Sequence, residues 1–231
     1  VVVHVNEEMP IWFGRAQDAK SARITTDLPD RNIVPFSEPL VQHPVNHPYD
    51  ELAQMIRERG WGRSRIGVEM DAHYYTARCH QHLTKGLPDA PLANNADLVN
   101  WARLVKSDAE VKLMRDAGRI CTHAMNRAIE VMKPGVPQQT VIAAIYEAQT
   151  IGVPGAGGDY AAICPLMPVG EGTSTPHLTW TDKPLPNDVL TMIEIAGSRR
   201  RYHAPLTRTI YLGKPPQEMR ALEDTWWQPS F

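Results

Sequence analysis

Three residue types near the end of the chain have the means to do chemistry together: His177, Glu194 and the arginine of Thr207-Arg208-Thr209. A carboxylate can attack an electron-poor carbon or take a proton from water, and an imidazole with an ordinary pKa near 6.5 can carry that proton. Glu194 lies inside an apolar run, Val189 to Ala196, whose alternation puts Leu190, Met192 and Glu194 on one face and Val189, Thr191, Ile193 and Ile195 on the other. A carboxylate sharing a face with apolar neighbours is unfavourable unless it is paired or used. The competing reading gives it a plain structural role, turned to solvent or paired with Arg199, Arg200 or Arg201.

The elements that must hold these groups can be read from pattern. Val189–Ala196 and Tyr202–Leu212 are β-branched and aromatic runs separated by Gly197, Ser198 and three arginines, which predicts a β-hairpin. Tyr202 and His203 open the second strand and are candidate positioning groups for a substrate. Arg208 suits a substrate carboxylate, or equally a brace across the sheet. Upstream, Tyr160 to Leu166 predicts a strand, and the polar loop Gly170 to Pro176 delivers His177.

Further back, Ser107-Asp108-Ala109-Glu110 is a capping box opening a long helix. Its stripe Val111, Met114, Gly118, Cys121, Met125, Ala128 and Met132 predicts core packing, and Lys133-Pro134-Gly135 ends it. His123, alone on that helix, carries no functional weight. A second helix runs from Pro137 to about Gln149, followed by a glycine-rich loop around Gly152 to Gly158 that lacks the signature of a phosphate cradle. In the first hundred residues, Val1–Val5 and Ile11–Phe13 read as a hairpin, Tyr49–Arg59 as a helix, Ile66–Glu69 as a strand and Tyr74–Leu83 as a helix. This order predicts a small α/β domain ending near Trp101. His43 and His47 are four apart but flank Pro44, so they read as solvent-facing loop residues rather than metal ligands.

Composition excludes several classes. The 231 residues are 42% hydrophobic and 22% charged, with a net charge of −2, which suits an ordered globular chain and gives no footprint for nucleic acid or an anionic membrane. Cys79, Cys121 and Cys164 are odd in number and widely spaced, so they support neither a disulfide framework nor a zinc site; a cytoplasmic location fits. The chain begins inside a strand without Met and ends on Trp226, Trp227 and Phe231, aromatics with no visible core to join. These ends predict a truncated chain, poorly active or unstable as written, with an aggregation-prone tail.

LVNWARLVKSDAEVKLMRDAGRI (98–120) resembles the domain junction and first catalytic helix of the creatinase, prolidase and aminopeptidase P family, and the hairpin ending in Thr-Arg-Thr resembles its metal-binding hairpin. The resemblance implies an α/β (α+β) fold: a creatinase-like amino-terminal domain over 1–104, its start missing, and the first half of a pita-bread catalytic domain over 105–231. The family's peptidases bind two metals through two Asp eleven residues apart, with a His seventeen residues ahead of the first; the matching positions here are Glu194, Pro205 and His177. Proline has no ligand atom, so the resemblance points to a metal-free branch, with no cofactor. Creatinase places a Glu before the hairpin arginine, where this chain has Thr207. PHLTW (176–180), EIAG (194–197), RYHAP (201–205), LGKPP (212–216) and GDY (158–160) are more similar to the branch that opens the cyclic amidine ectoine. That branch implies Glu194 and His177 as catalytic groups, Tyr202, His203 and Arg208 as substrate-binding candidates, a small-molecule substrate and a homodimer. A Xaa-Pro metallopeptidase and a non-catalytic pita-bread binding module are the alternatives.

Overall fold

The structure, a computed structural model, describes the backbone of residues 1–226 and the side chains of residues 1–222. The exposure expected for the aromatic rings of Trp226, Trp227 and Phe231 therefore lies outside the described residues. The chain divides into two units, Val1–Leu104 and Val105–Phe231, each built around its own core.

The first unit is a set of short strands and helices in alternation. Strand β1 (Trp12–Arg15) leads through α1 (Ala19–Thr25) to β2 (Ile33–Phe36), and the two strands pair in parallel. Helix α2 (Pro48–Glu58) precedes β3 (Ile66–Val68), and α3 (Ala77–Gly86) precedes β4 (Leu92–Asn94), again a parallel pair. Parallel pairing needs a crossover, and a helix supplies it each time. The expected hairpin at the start is reduced to a single antiparallel bridge, Val2 with Ile11, because Ile11 ends its extended run one residue before β1 takes β2 as its partner. Ile11, Leu52, Ala53, Ile56, Val68, Leu83 and Leu87 form the core.

His47 corrects the expectation of solvent-facing loop histidines. It caps α2, its Nδ1 accepting from the Tyr49 amide at 3.2 Å while Asp50 receives the His47 amide at 2.9 Å. Its ring stacks on His82 with centroids 5.0 Å apart, and His82 is hydrogen-bonded to Asp50 at 2.7 Å. Burial, then the neighbouring His82 and Arg78, push the His47 imidazole below its ordinary pKa. His43 is likewise half-buried.

After the short helix α4 (Leu98–Ala102), the second unit is two helices on a hairpin. Helix α5 (Asp108–Val131) opens with the capping box: the Ser107 amide donates to Glu110 at 2.7 Å and the Glu110 amide to the Ser107 hydroxyl. It buries Ala117, Ile120, Cys121, Ala124, Met125 and Ala128, a wider face than the expected single stripe. Helix α6 (Gln138–Ile151) packs beside it; α5 rests on β5 (Val189–Arg199) and β6 (Tyr202–Leu212), and α6 reaches β5 through the buried Gln149, which donates to Ala196 O at 2.8 Å.

The hairpin is longer and tighter than the sequence pattern suggests. Gly197 and Ser198 belong to β5 and pair with Ala204 and His203, so the turn is only Arg200-Arg201, with φ of 46° and 69°. Positive φ at both central residues is the type I′ geometry whose twist matches two strands. Gly197 explains the extra strand length, because it faces α5. A Cβ there would strike the Ala117 carbonyl and stand 2.6 Å from the Cys121 nitrogen. The strand expected over Tyr160–Leu166 is instead irregular; only Leu166 and Val169 bridge to β5. Pro165 and Pro168 remove two donors, which limits the ladder there. Last comes α7 (Gln217–Trp226).

Candidate active site

Residues 189–212 form an unbroken antiparallel ladder, so the register decides which side chains share a face. One face looks at α5 and carries Thr191, Ile193, Ile195 and Gly197; the first three are fully buried. The opposite face carries Leu190, Met192, Glu194, Ala196 and Ser198. Glu194 pairs with Thr207, Ala196 with Pro205 and Ser198 with His203, so Thr207, Pro205 and His203 share its face. Glu194 is half-buried rather than enclosed, while Thr207 and Pro205 are exposed.

Tyr202 and Arg208 fall on the other side. Arg208 pairs with Ile193 and Tyr202 with Arg199, which turns both toward the face that meets α5. The Tyr202 hydroxyl donates to Glu110 at 2.7 Å, tying the hairpin to the capping box of α5. The Ser107 amide, the Tyr202 hydroxyl and the Ser107 hydroxyl together hold the Glu110 carboxyl down at about 2. Arg208 is exposed and donates to its neighbour's carbonyl, Thr207 O, at 2.8 Å. The register thus joins His203 to Glu194's face and separates Tyr202 and Arg208 from it.

His177 approaches from the free edge of β5. Leu166 and Glu194 exchange both backbone hydrogen bonds at 3.0 Å, the Met192 amide donates to Pro168 O at 3.2 Å, and the buried Thr191 hydroxyl donates to the same carbonyl at 2.8 Å. Residues 166–169 therefore extend the sheet by one line. Outside it, the Met167 amide donates to Leu178 O at 3.1 Å. The backbone at Leu178, the residue after His177, is thus about 10 Å from the line of β5, two strand spacings away. The chain after His177 is secured by the Thr181 amide, which donates to the buried Gln138 side chain at 2.8 Å. His177 itself is exposed, with φ of 66°, a left-handed conformation uncommon outside glycine.

Sequence reasoning missed the extra sheet line that joins His177 to Glu194, since two bridges between prolines leave no alternation to read. It also missed the bond from Tyr202 to Glu110. The isolated Gly197 in a strand pattern was the available signal that a backbone approaches closely there.

Residues 1–105 match the creatinase/prolidase N-terminal domain and residues 112–228 match metallopeptidase family M24. The chain belongs to this family, whose solved members share the pita-bread fold. It is 42% identical to the ectoine hydrolase of Halomonas elongata over 221 residues, covering 92% of this chain and 55% of that protein. It is 43% identical to an uncharacterized hydrolase/peptidase of Sinorhizobium fredii over 222 residues, 96% of this chain and 57% of that one. The X-Pro aminopeptidase of Thermotoga maritima superposes with a TM-score of 0.73 at 17% identity, covering 92% of this chain and 54% of that one. The chain spans just over half the length of the curated relatives it matches.

Metallopeptidase family M24 implies a metal centre, and the residues of this hairpin do not fit a dinuclear one. Pro205, across from Ala196 on Glu194's face, offers only ring carbon, leaving one carboxylate where two ions would need several. Among the described residues no three His, Cys, Asp or Glu side chains are grouped to hold a metal ion. The described cysteines are free thiols, Cys79 and Cys121 buried and Cys164 exposed. Among the described residues no helix is long and apolar enough to cross a membrane.

Proposed function

We propose that the protein hydrolyses a non-peptide C–N bond in a small cyclic amidine, ectoine being the best candidate, without a metal in the reacting centre. Glu194 is the reacting carboxylate and His177 the proton carrier. The observation that carries this reading is the hairpin's open face: a single carboxylate, Glu194, flanked by Thr207 and by Pro205 at the place where a metallopeptidase needs a second one. The likeness to the Halomonas ectoine hydrolase supplies the substrate.

The chemistry matches what those groups can do. Ring opening of an amidinium forms one C–O bond at the amidine carbon, breaks one ring C–N bond and delivers a proton to the departing nitrogen. Glu194 either attacks the carbon directly, with water later releasing the acyl group, or takes a proton from the attacking water. In both routes its charge attracts the cationic ring. His177 gives the departing nitrogen its proton. The product is an acetylated diaminobutyrate.

The second reading, a Xaa-Pro metallopeptidase, is favoured by the match of residues 112–228 to metallopeptidase family M24. Ring opening of ectoine by the whole protein, with and without a chelator and alongside Glu194→Gln, separates the two. Chelator-resistant turnover that disappears in the variant is the expected result. Cleavage of a Xaa-Pro dipeptide that stops with chelator, with ectoine left intact, would replace the proposal by the peptidase reading.

A further inference from the structure

Residues 159–165 have no regular structure, yet they are fastened at three points around the face that carries Glu194. At one end the Asp159 amide donates to Ser198 O at 3.0 Å. At the other, Leu166 exchanges both backbone hydrogen bonds with Glu194. Both anchors lie on the free edge of β5. The middle point does not: the Ala162 amide donates to His203 Nε2 at 3.0 Å, and His203 stands on β6, beyond β5. To reach it, the segment must leave the edge and arch over the face as a strap. The fully buried Ser198 and nearly buried Ala196, on the side away from α5, are consistent with this cover.

The imidazole suits this task through both nitrogens. Its Nδ1 lies 2.9 Å from Arg201 O, which can only accept, so Nδ1 carries the proton. The Ala162 N–H can only donate, so Nε2 presents its lone pair. Two bonds of opposite polarity select one neutral tautomer and fix the ring's direction. Arg201 adds a second tie, its guanidinium 3.5 Å from the Tyr160 ring centroid and its Nη1 donating to Tyr160 O at 3.3 Å. Tyr160, Ala162 and Cys164 are exposed, so burial does little to hold the strap and these polar ties carry more of its order.

We infer that His203 is a positioning residue: it pins the 159–165 strap over the hairpin and so sets the wall beside Glu194 against which the substrate ring packs. The inference deepens the proposed function and rests on Glu194 being the reacting carboxylate. His203 then acts through the strap, without touching substrate. Freeing the strap weakens binding of the ring and leaves the reacting groups in place.

The test uses the whole protein and two readouts, hydrogen exchange of the strap amides and steady-state kinetics on ectoine. His203→Ala is expected to speed exchange at Ala162 and its neighbours and to raise KM roughly tenfold, the scale of one lost hydrogen bond, while kcat stays within about threefold. His203→Gln, whose carbonyl oxygen is an acceptor, recovers part of both effects. Ala162→Pro removes the same bond from the strap's side and reproduces the KM increase even if His203→Ala fails to fold. Unchanged exchange and KM in both His203→Ala and Ala162→Pro would overturn the pin, as would a loss confined to kcat. A wild type that leaves ectoine intact overturns the substrate reading instead, and the exchange result alone then decides whether His203 holds the strap.

Discussion

At the scale of single residues, His177 is informative because its backbone conformation and its proposed chemistry can be tested apart. His177 is exposed and has φ of 66°, a left-handed conformation in which His, Asn and Asp are the commoner non-glycine residues. Asparagine tolerates the same conformation but cannot carry a proton. His177→Asn is therefore expected to keep stability within about 0.5 kcal/mol of wild type, while kcat on ectoine falls by roughly 10²–10⁴, the usual contribution of a positioned acid–base group. Urea titration beside steady-state kinetics checks it, and parallel losses of stability and activity would remove the proton-carrier role. In the sequence Glu194 and His177 stand out through the family resemblance, since residue type alone favours a plain structural role for the carboxylate. Their separation was not legible there, because it depends on residues 166–169 joining β5, which two isolated bridges accomplish without any alternating pattern. Tyr202 and Arg208 show the opposite case. Chemistry suggested a site for both, and the parity of an unbroken ladder turned them away from Glu194.

Between elements, the contact that decides the site's geometry is α5 against the hairpin, and Gly197 allows it. A methyl group at that position meets backbone atoms of α5 on two residues, and backbone cannot rotate aside as a side chain would. Gly197→Ala is expected to destabilise the protein by about 3 kcal/mol, at the upper end for overpacking. Gly157→Ala, where an added Cβ meets nothing within 4 Å, should shift stability by less than about 0.5 kcal/mol. Equal denaturation midpoints for the two variants would show that α5 can retreat freely. The same interface has an acid limit. Glu110, held at about 2 against an ordinary 4.5, contributes stability that is complete above pH 4.5 and is lost as pH falls from there through 2. Tyr202→Phe removes one donor from the carboxylate, so its folded pKa rises toward 4.5. Acid unfolding of that variant, followed by circular dichroism between pH 5 and 1.5, should begin at higher pH than in wild type; coincident curves would show that the Tyr202 bond does not stabilise the charged form. The capping box behind this effect was readable from Ser107 and Glu110. The long-range partner was not, since nothing local in sequence links Glu110 to a tyrosine ninety-two positions later.

At the scale of the whole molecule, the two units differ in how completely each closes its own core. The first takes all buried members of its main apolar cluster from residues 11–90, with Ala53, Leu87 and Ile11 almost fully buried, and its helices α2 and α3 both carry side-chain caps. Burial of several large side chains at about 1.5–3 kcal/mol each stands against the chain entropy of roughly one hundred residues, a balance that domains of this size commonly meet. The second unit buries one face of its hairpin against α5 and α6 and leaves Leu190, Met192 and Tyr211 half-buried on the other, with Pro205 and Thr207 exposed. Folding autonomy should therefore be unequal. Residues 1–104 expressed alone are expected to unfold in one cooperative urea transition without binding a hydrophobic dye in buffer, whereas residues 105–231 alone should bind the dye through the hairpin's open face. A broad, non-cooperative transition in the first segment would show that its core is insufficient by itself. Absence of dye binding in the second would show that the Glu194 face is satisfied as it stands, and would weaken the case that it is a surface built to receive something else.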